Sequence, residues 1–299
     1  MRIRKRTLRH AIIVLILLII VVVTRPKPEL YSYSEGKFSV LQDRGKPAYQ
    51  LGHAVEENGV LRYAISYKSL PFKDQETTIH GFFFIPKNAK DVPGLVLLPG
   101  GGVGKEAEAS LASKIASWGY GVLTVDQRGI GQTGGTYLSG ESDFRAFQEG
   151  HIPIQHLSVI DGLIGTDVIR EMDGVDGKQI AMAGESMGGR YALIAGALDD
   201  RLRGVVTFGA SGFHSQLSSF PDIADYLTSI DPDQYIRLIA PRPVVMFQGS
   251  KDDVVSMDDA RLTFGFAADP KEFIVAECGH GYCGEMDGEL QNALSGLFQ

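Results

Sequence analysis

The sequence predicts an α/β domain, a mostly parallel central sheet with helices on both faces, carried behind an N-terminal hydrophobic helix. Three observations predict it. From about residue 60 onward, short apolar runs bounded by turn residues alternate with segments of helical periodicity. Several of those runs are apolar at almost every position, as in residues 94–99 (GLVLLP), the pattern of strands covered on both faces. Only one stretch, residues 11–23, is apolar without interruption behind a cluster of cations. Composition agrees. A chain of 299 residues with 44% hydrophobic and 22% charged residues, 36 Gly and 2 Cys is no collagen, disulfide-stapled miniprotein, disordered tail or multi-pass membrane protein.

The N-terminus comes first. Arg2, Arg4, Lys5, Arg6 and Arg9 precede the apolar run, which closes at Thr24, Arg25 and Pro26. Cations stay on the cytoplasmic side, so the segment is expected to deliver the body to the extracytoplasmic side. As a helix the run spans about 20 Å against about 30 Å of hydrocarbon, short for a span but open to snorkelling by its flanking arginines. Val21, Val22 and Val23 offer no small-x-small cleavage site. Residues 1–24 are therefore read as an uncleaved signal anchor, secretion after cleavage being the alternative. Residues 25–59 read as tether and N-terminal extension, and 60–299 as the globular domain. After residue 10 the chain carries 24 basic against 36 acidic groups, which argues against a nucleic-acid surface.

In the body, residues 60–70 and 78–86 read as an antiparallel hairpin. Strand 94–99 runs into Gly100, Gly101 and Gly102. A helix over 105–118 follows, then a strand at 121–125 and an amphipathic helix over 154–172. Next come strand 179–183, helix 187–198, and strands 204–208 and 243–248. Helix 257–267, strand 272–276 and a last helix near 286–297 complete the pattern. Residues 211–240 interrupt the rhythm and read as a short cap insertion over one end of the sheet. Phe213, Phe220, Ile223, Tyr226 and Leu227 supply either an apolar wall for a ligand or ordinary cap packing.

The strongest chemical signal is Gly184-Glu185-Ser186-Met187-Gly188-Gly189, set between a strand and a helix. Glycines at 184 and 188 permit a turn too tight for side chains, which pushes the Ser186 hydroxyl out at the strand end. A serine needs a base, and the base needs a carboxylate to orient it. Only His214 and His280 follow Ser186; His280 lies just past the last strand, whereas His214 opens the insertion. Strand 243–248 ends in a turn that holds Asp252 and Asp253, so the order Ser, Asp, His runs along the chain. Gly101 and Met187 supply the candidate backbone donors of an oxyanion hole.

Other motifs carry less. Gly129, Gly131 and Gly134 form a formal dinucleotide fingerprint, but no helix opens behind it, so an Asp126–Arg128-braced loop is the better reading. Pro99 and Glu106 break any phosphate-loop pattern, and His151 and His156 lack metal-ligand spacing. Neither cofactor nor metal is expected. In an exported domain Cys278 and Cys283, which bracket His280, are candidates for a small disulfide, the alternative being two free thiols.

The body resembles the α/β-hydrolase superfamily, in its esterase, dienelactone-hydrolase-like and prolyl-oligopeptidase-like branches. The resemblance is carried by GLVLLPGGG, GVLTVDQRGIGQT, VDGKQIAMAGESMGG, APRPVVMFQGSKDDVV and ECGHG, over residues 79–298. It implies that the acid is the Asp of a Gly-x-x-Asp turn, which selects Asp252 over Asp253. Two departures stand out. Pro99 replaces a His found in many relatives, and Ser186 replaces the Cys of dienelactone hydrolases, which points to ester hydrolysis. The expectation is a membrane-anchored serine hydrolase that cleaves small-molecule carboxylic esters through Ser186, His280 and Asp252. An aminopeptidase or oligopeptidase is the enzymatic alternative, and a non-catalytic binding protein on the same fold is the alternative of another class.

Overall fold

The computed structural model describes residues 29–137, 139–213 and 223–299. The expected anchor over 1–24 and Phe220 of the cap lie outside them. Among the described residues no helix is long and apolar enough to cross a membrane.

Strands β1 (Tyr31–Ser34) and β2 (Lys37–Val40) make a separate hairpin. An antiparallel meander follows: β3 (Tyr49–Glu57), β4 (Val60–Phe72) and β5 (Gln75–Pro86). Strands and helices then alternate through β6 (Val92–Leu98), α1 (Lys105–Ser117), β7 (Gly121–Val125), α2 (Gly140–Gln148) and α3 (Ile154–Arg170). They continue with β8 (Val175–Glu185), α4 (Met187–Leu198), β9 (Val205–Phe208), the cap helix α5 (Ala224–Ser229) and β10 (Val244–Gly249). Helix α6 (Met257–Phe266), β11 (Lys271–Ala276) and α7 (Asp287–Leu297) finish the chain. The main sheet runs β11-β10-β9-β8-β6-β7-β5-β4-β3. It is parallel from β11 to β7 and antiparallel from β7 to β3.

Both faces of the parallel half are covered, and β6 shows why the sequence encodes this. Val96 and Leu98 join α3 and α4 (Leu157, Ile160, Leu193) in one core. Leu95 and Leu97 point the other way and join α1 and α7 (Leu111, Ile115, Leu290, Leu294) in a second. A strand buried on both sides has no polar face to display, hence the unbroken apolar run.

The region upstream of residue 60 differs from a tether. It contributes β1, β2 and β3, the last being the outer strand of the main sheet. Almost every β3 residue is exposed, Leu51 and Val55 included, so no apolar alternation marks it. Its pairing with β4 shifts register between Leu51 and Ala54. Arg44, with its side chain only 2% exposed, ties this segment to Asp167 and Asp199, which Arg201 also bridges.

His156 on α3 joins the hairpin and the cap to the body. It stacks on Phe38 with centroids 4.1 Å apart and bonds to Tyr31 Oη at 3.0 Å and Ser229 Oγ at 2.8 Å. Complete burial pushes its pKa down to about 3. Because the folded value lies below the unfolded one, the unfolded chain binds the extra proton between them. This contribution to stability is therefore complete above about pH 6.5 and is lost as pH falls toward 3. Lowering pH from about 7.5 to 5 is expected to cost about 2 kcal/mol through this residue. Urea midpoints across that range check it: His156→Phe should flatten the slope, and an unchanged slope contradicts the assignment.

Candidate active site

The C-terminal ends of β6, β8, β10 and β11 face one rim, and each delivers one part of the site. The β8–α4 turn holds Ser186 at φ 53° and ψ −117°, a conformation that costs a non-glycine residue on the order of 1–3 kcal/mol. The surroundings impose it. A Cβ at Gly184 would run into the Gly188 carbonyl, and one at Gly188 into the carbonyls of Leu98 and Pro99. The turn is also pinned from the side, since the Ser186 N–H donates to Phe208 O at 2.8 Å.

Asp252 and His280 meet. His280 Nδ1 lies 2.8 Å from Asp252 Oδ2 and 3.0 Å from Oδ1. The Asp252 side chain is fully buried and that of His280 is 22% exposed, so the far edge of the imidazole remains reachable. Burial alone would raise the Asp252 pKa. Hydrogen bonds from Val255 N–H, His280 and Val254 N–H outweigh it and hold the carboxyl below its usual value. Asp253 is exposed and contributes nothing to this cluster. Gln248 on β10 adds a further donor, its Nε2 standing 3.0 Å from Asp252 Oδ2 and 2.9 Å from Val255 O.

No hydrogen bond joins Ser186 to His280 among the described residues, but two contacts bring the segments that carry them together. Gly209 follows Phe208, the partner of Ser186 N–H, and a Cβ there would lie 3.1 Å from His280 Nδ1. Glu185, next to Ser186, accepts from Tyr282 N–H at 3.0 Å.

The glycine loop after β6 is held by Gln127. Its Nε2 donates to the carbonyls of Pro99 and Gly100 at 3.1 and 2.8 Å, while its Oε1 accepts Gly102 N–H at 3.1 Å. That bond takes up Gly102, whereas the N–H groups of Gly101 and Met187 have no partner among the described residues. These two positions also touch. A Cβ on Gly101 would sit 3.7 Å from Met187 Cβ, and one on Gly100 would sit 3.7 Å from Ser186 Cβ.

Three details differ from expectation or add to it. Asp126 and Arg128 each brace the loop, through partners of their own, and Asp126 also accepts Gln132 N–H at 2.8 Å. Asp126 pairs with buried Lys105 at 3.1 Å, and Arg128 with Asp161 at 2.6 Å, because their side chains leave the loop on opposite sides of the sheet end. Gln127, two residues past β7, and Gln248, the penultimate residue of β10, are polar positions that no sequence motif marks. Cys278 and Cys283 are disulfide-bonded across the His280 loop, with Cα atoms 6.5 Å apart. The described residues hold no cluster of His, Cys, Asp and Glu suited to a metal ion.

Comparison with known proteins decides the family. The model of the acetyl xylan esterase family matches residues 52–231, more than half of the chain. The chain belongs to the acetyl xylan esterase family. It is a hydrolase of the α/β-hydrolase superfamily, of the carboxylic ester class. The uncharacterized protein YfhR of Salmonella typhi is 24% identical over 251 residues, covering 77% of each chain. Among solved structures, acetyl xylan esterase 1 from Thermoanaerobacterium sp. JW/SL YS485 superposes with a TM-score of 0.70 at 18% identity, over 86% of this chain and 90% of that one. The glucuronoyl esterase from Solibacter usitatus gives 0.65 at 13%, over 91% and 89%. These likenesses show the fold of this family member.

Proposed function

We propose that this family member is a serine esterase that removes short acyl groups from carbohydrate hydroxyls. Ser186 attacks the acyl carbon, and His280 Nε2 takes its proton and passes it to the departing alcohol. Asp252, on the other ring nitrogen, fixes the tautomer and stabilises the imidazolium. The N–H groups of Gly101 and Met187 receive the oxyanion. Water activated by His280 then cleaves the acyl-enzyme. The observation that carries this reading is the hydrogen-bonded Asp252–His280 pair on the same rim as a serine held at φ 53°.

Substrate class rests on family membership and on space. A cavity of about 160 Å³ opens beside Met187 and Gln127, backed by Tyr191, Ile154 and Ser158. A short acyl tail fits in it. We further read residues 1–24 as a membrane anchor that leaves the enzyme on the extracytoplasmic side. The cationic flank and the apolar run support this, and the Cys278–Cys283 disulfide fits an oxidising compartment.

One experiment addresses both. Fractions of cells expressing the full chain are treated with a fluorophosphonate and searched by mass spectrometry. The adduct is expected on the Ser186 peptide, in a membrane pellet that survives salt washing. Folded protein without the adduct overturns the serine reading; label confined to the soluble or secreted fraction overturns the anchor.

A further inference from the structure

In the sheet, β11 and β8 are separated by β10 and β9, so a loop leaving β11 must travel back roughly 14 Å to bring His280 beside Ser186. The route is visible. Beyond β10, a Cβ on Gly249 would collide with the carbonyls of Cys278 and Gly279, and Lys251 N–H donates to Cys278 O at 2.9 Å. Beyond β9, Gly209 lets the imidazole and the Gly281 N–H pass within about 3 Å of where a Cβ would stand. The loop then ends its crossing on Glu185, the last residue of β8, whose carboxylate accepts Tyr282 N–H at 3.0 Å. Gly281, at φ +82°, fits because it lacks a Cβ, which would come 2.5 Å from Glu185 Cδ.

We propose that Glu185 is a positioning residue for the reaction: by holding Tyr282 N–H, it locks the His280 loop to the residue that precedes the nucleophile. This rests on the serine-esterase reading above. The bond is charge-assisted and therefore among the stronger ones available to a loop. It fixes base and nucleophile through one short covalent path, Glu185 to Ser186, where two independent loops would otherwise drift. Glu108 on α1 backs the arrangement. It is buried, and burial first and the Glu185 charge second push its pKa up to about 8, while Gly100 N–H bonds to it. The oxyanion loop, nucleophile turn and histidine loop thus converge on neighbouring carboxyl groups.

The test compares Glu185→Ala, Glu185→Leu, Glu185→Gln and Ser186→Ala in the full chain, with p-nitrophenyl acetate turnover, fluorophosphonate labelling rate and thermal midpoint as readouts. A misplacement of about 1 Å costs about 100-fold in rate. Glu185→Ala and Glu185→Leu are therefore expected to lose about 10- to 100-fold in kcat and in labelling rate, with KM within about twofold. Glu185→Gln should retain most of kcat, since its amide oxygen accepts the same N–H. Folded Ala or Leu variants at wild-type kcat, or a Gln variant as impaired as they are, overturn the proposal while Ser186→Ala stays inactive. Turnover retained by Ser186→Ala instead overturns the serine reading underneath it.

Discussion

Ser186→Ala is expected to lower kcat for a short-chain aryl ester by roughly 10⁴- to 10⁶-fold while the protein remains folded. Only the hydroxyl is removed, and the hydrogen bonds that hold Ser186 itself are made by its backbone. The Ser186 N–H to Phe208 O bond at 2.8 Å and the Arg190 N–H to Ser186 O bond at 3.2 Å both survive. The strain at φ 53° survives too, because alanine has the same Cβ. Stability should hold to within about 0.5 kcal/mol or rise, the usual outcome where a site tolerates strain for the sake of activity. Steady-state turnover and urea midpoints on the same samples decide it, and activity within tenfold of wild type removes Ser186 from the reaction.

Asp252→Asn is expected to lower kcat by about 10⁴-fold, with Asp253→Asn close to neutral. The argument is one of hydrogen-bond direction. Asp252 accepts from Val254 N–H and Val255 N–H on Oδ1, both at 2.9 Å, and from Gln248 Nε2 on Oδ2 at 3.0 Å. An asparagine keeps its oxygen toward the two backbone donors and turns its NH₂ toward His280. The imidazole must then accept at Nδ1 and carry its proton on Nε2, where it cannot act as a base toward serine. Loss of the fixed negative charge also leaves the imidazolium unsupported. A pH–rate profile of the two variants separates these effects from simple unfolding, and equal losses in both would assign the acid to the turn as a whole.

How much of this was legible in sequence depended on how local the signal was. The strand–turn–helix around Ser186 is continuous in the chain, so its glycines, its nucleophile and its helix start are read together. The Asp252 turn and the His280 loop were placed because each directly follows an apolar run that the structure shows as β10 and β11. What escaped notice is long-range or weakly patterned. Gln127 matters because its amide spans to a glycine loop 25 or more positions away. At Glu185 the sequence shows only a turn residue, since nothing local reports that position 282 folds back onto it. Helix α2 buries only Asp143 and Ala146, and β3 buries nothing, so neither shows the hydrophobic rhythm that exposes an element to sequence reading. Tyr226 answers the open question about the cap at its own position. Its hydroxyl donates to Asp143 at 2.9 Å and its ring packs on Phe144 and Phe147, so it serves the packing of the cap.

Among the described residues the outer strand β3 has no neighbour on one side of its peptide groups, an open template on which another molecule's strand can nucleate. Its two irregularities work against that. The break between Leu51 and Ala54 spoils the even spacing that an intruding chain must match, and the exposed Glu56 and Glu57 put charge at one end of the border. Both features disfavour the strand-on-strand stacking that an unbroken border of this length invites.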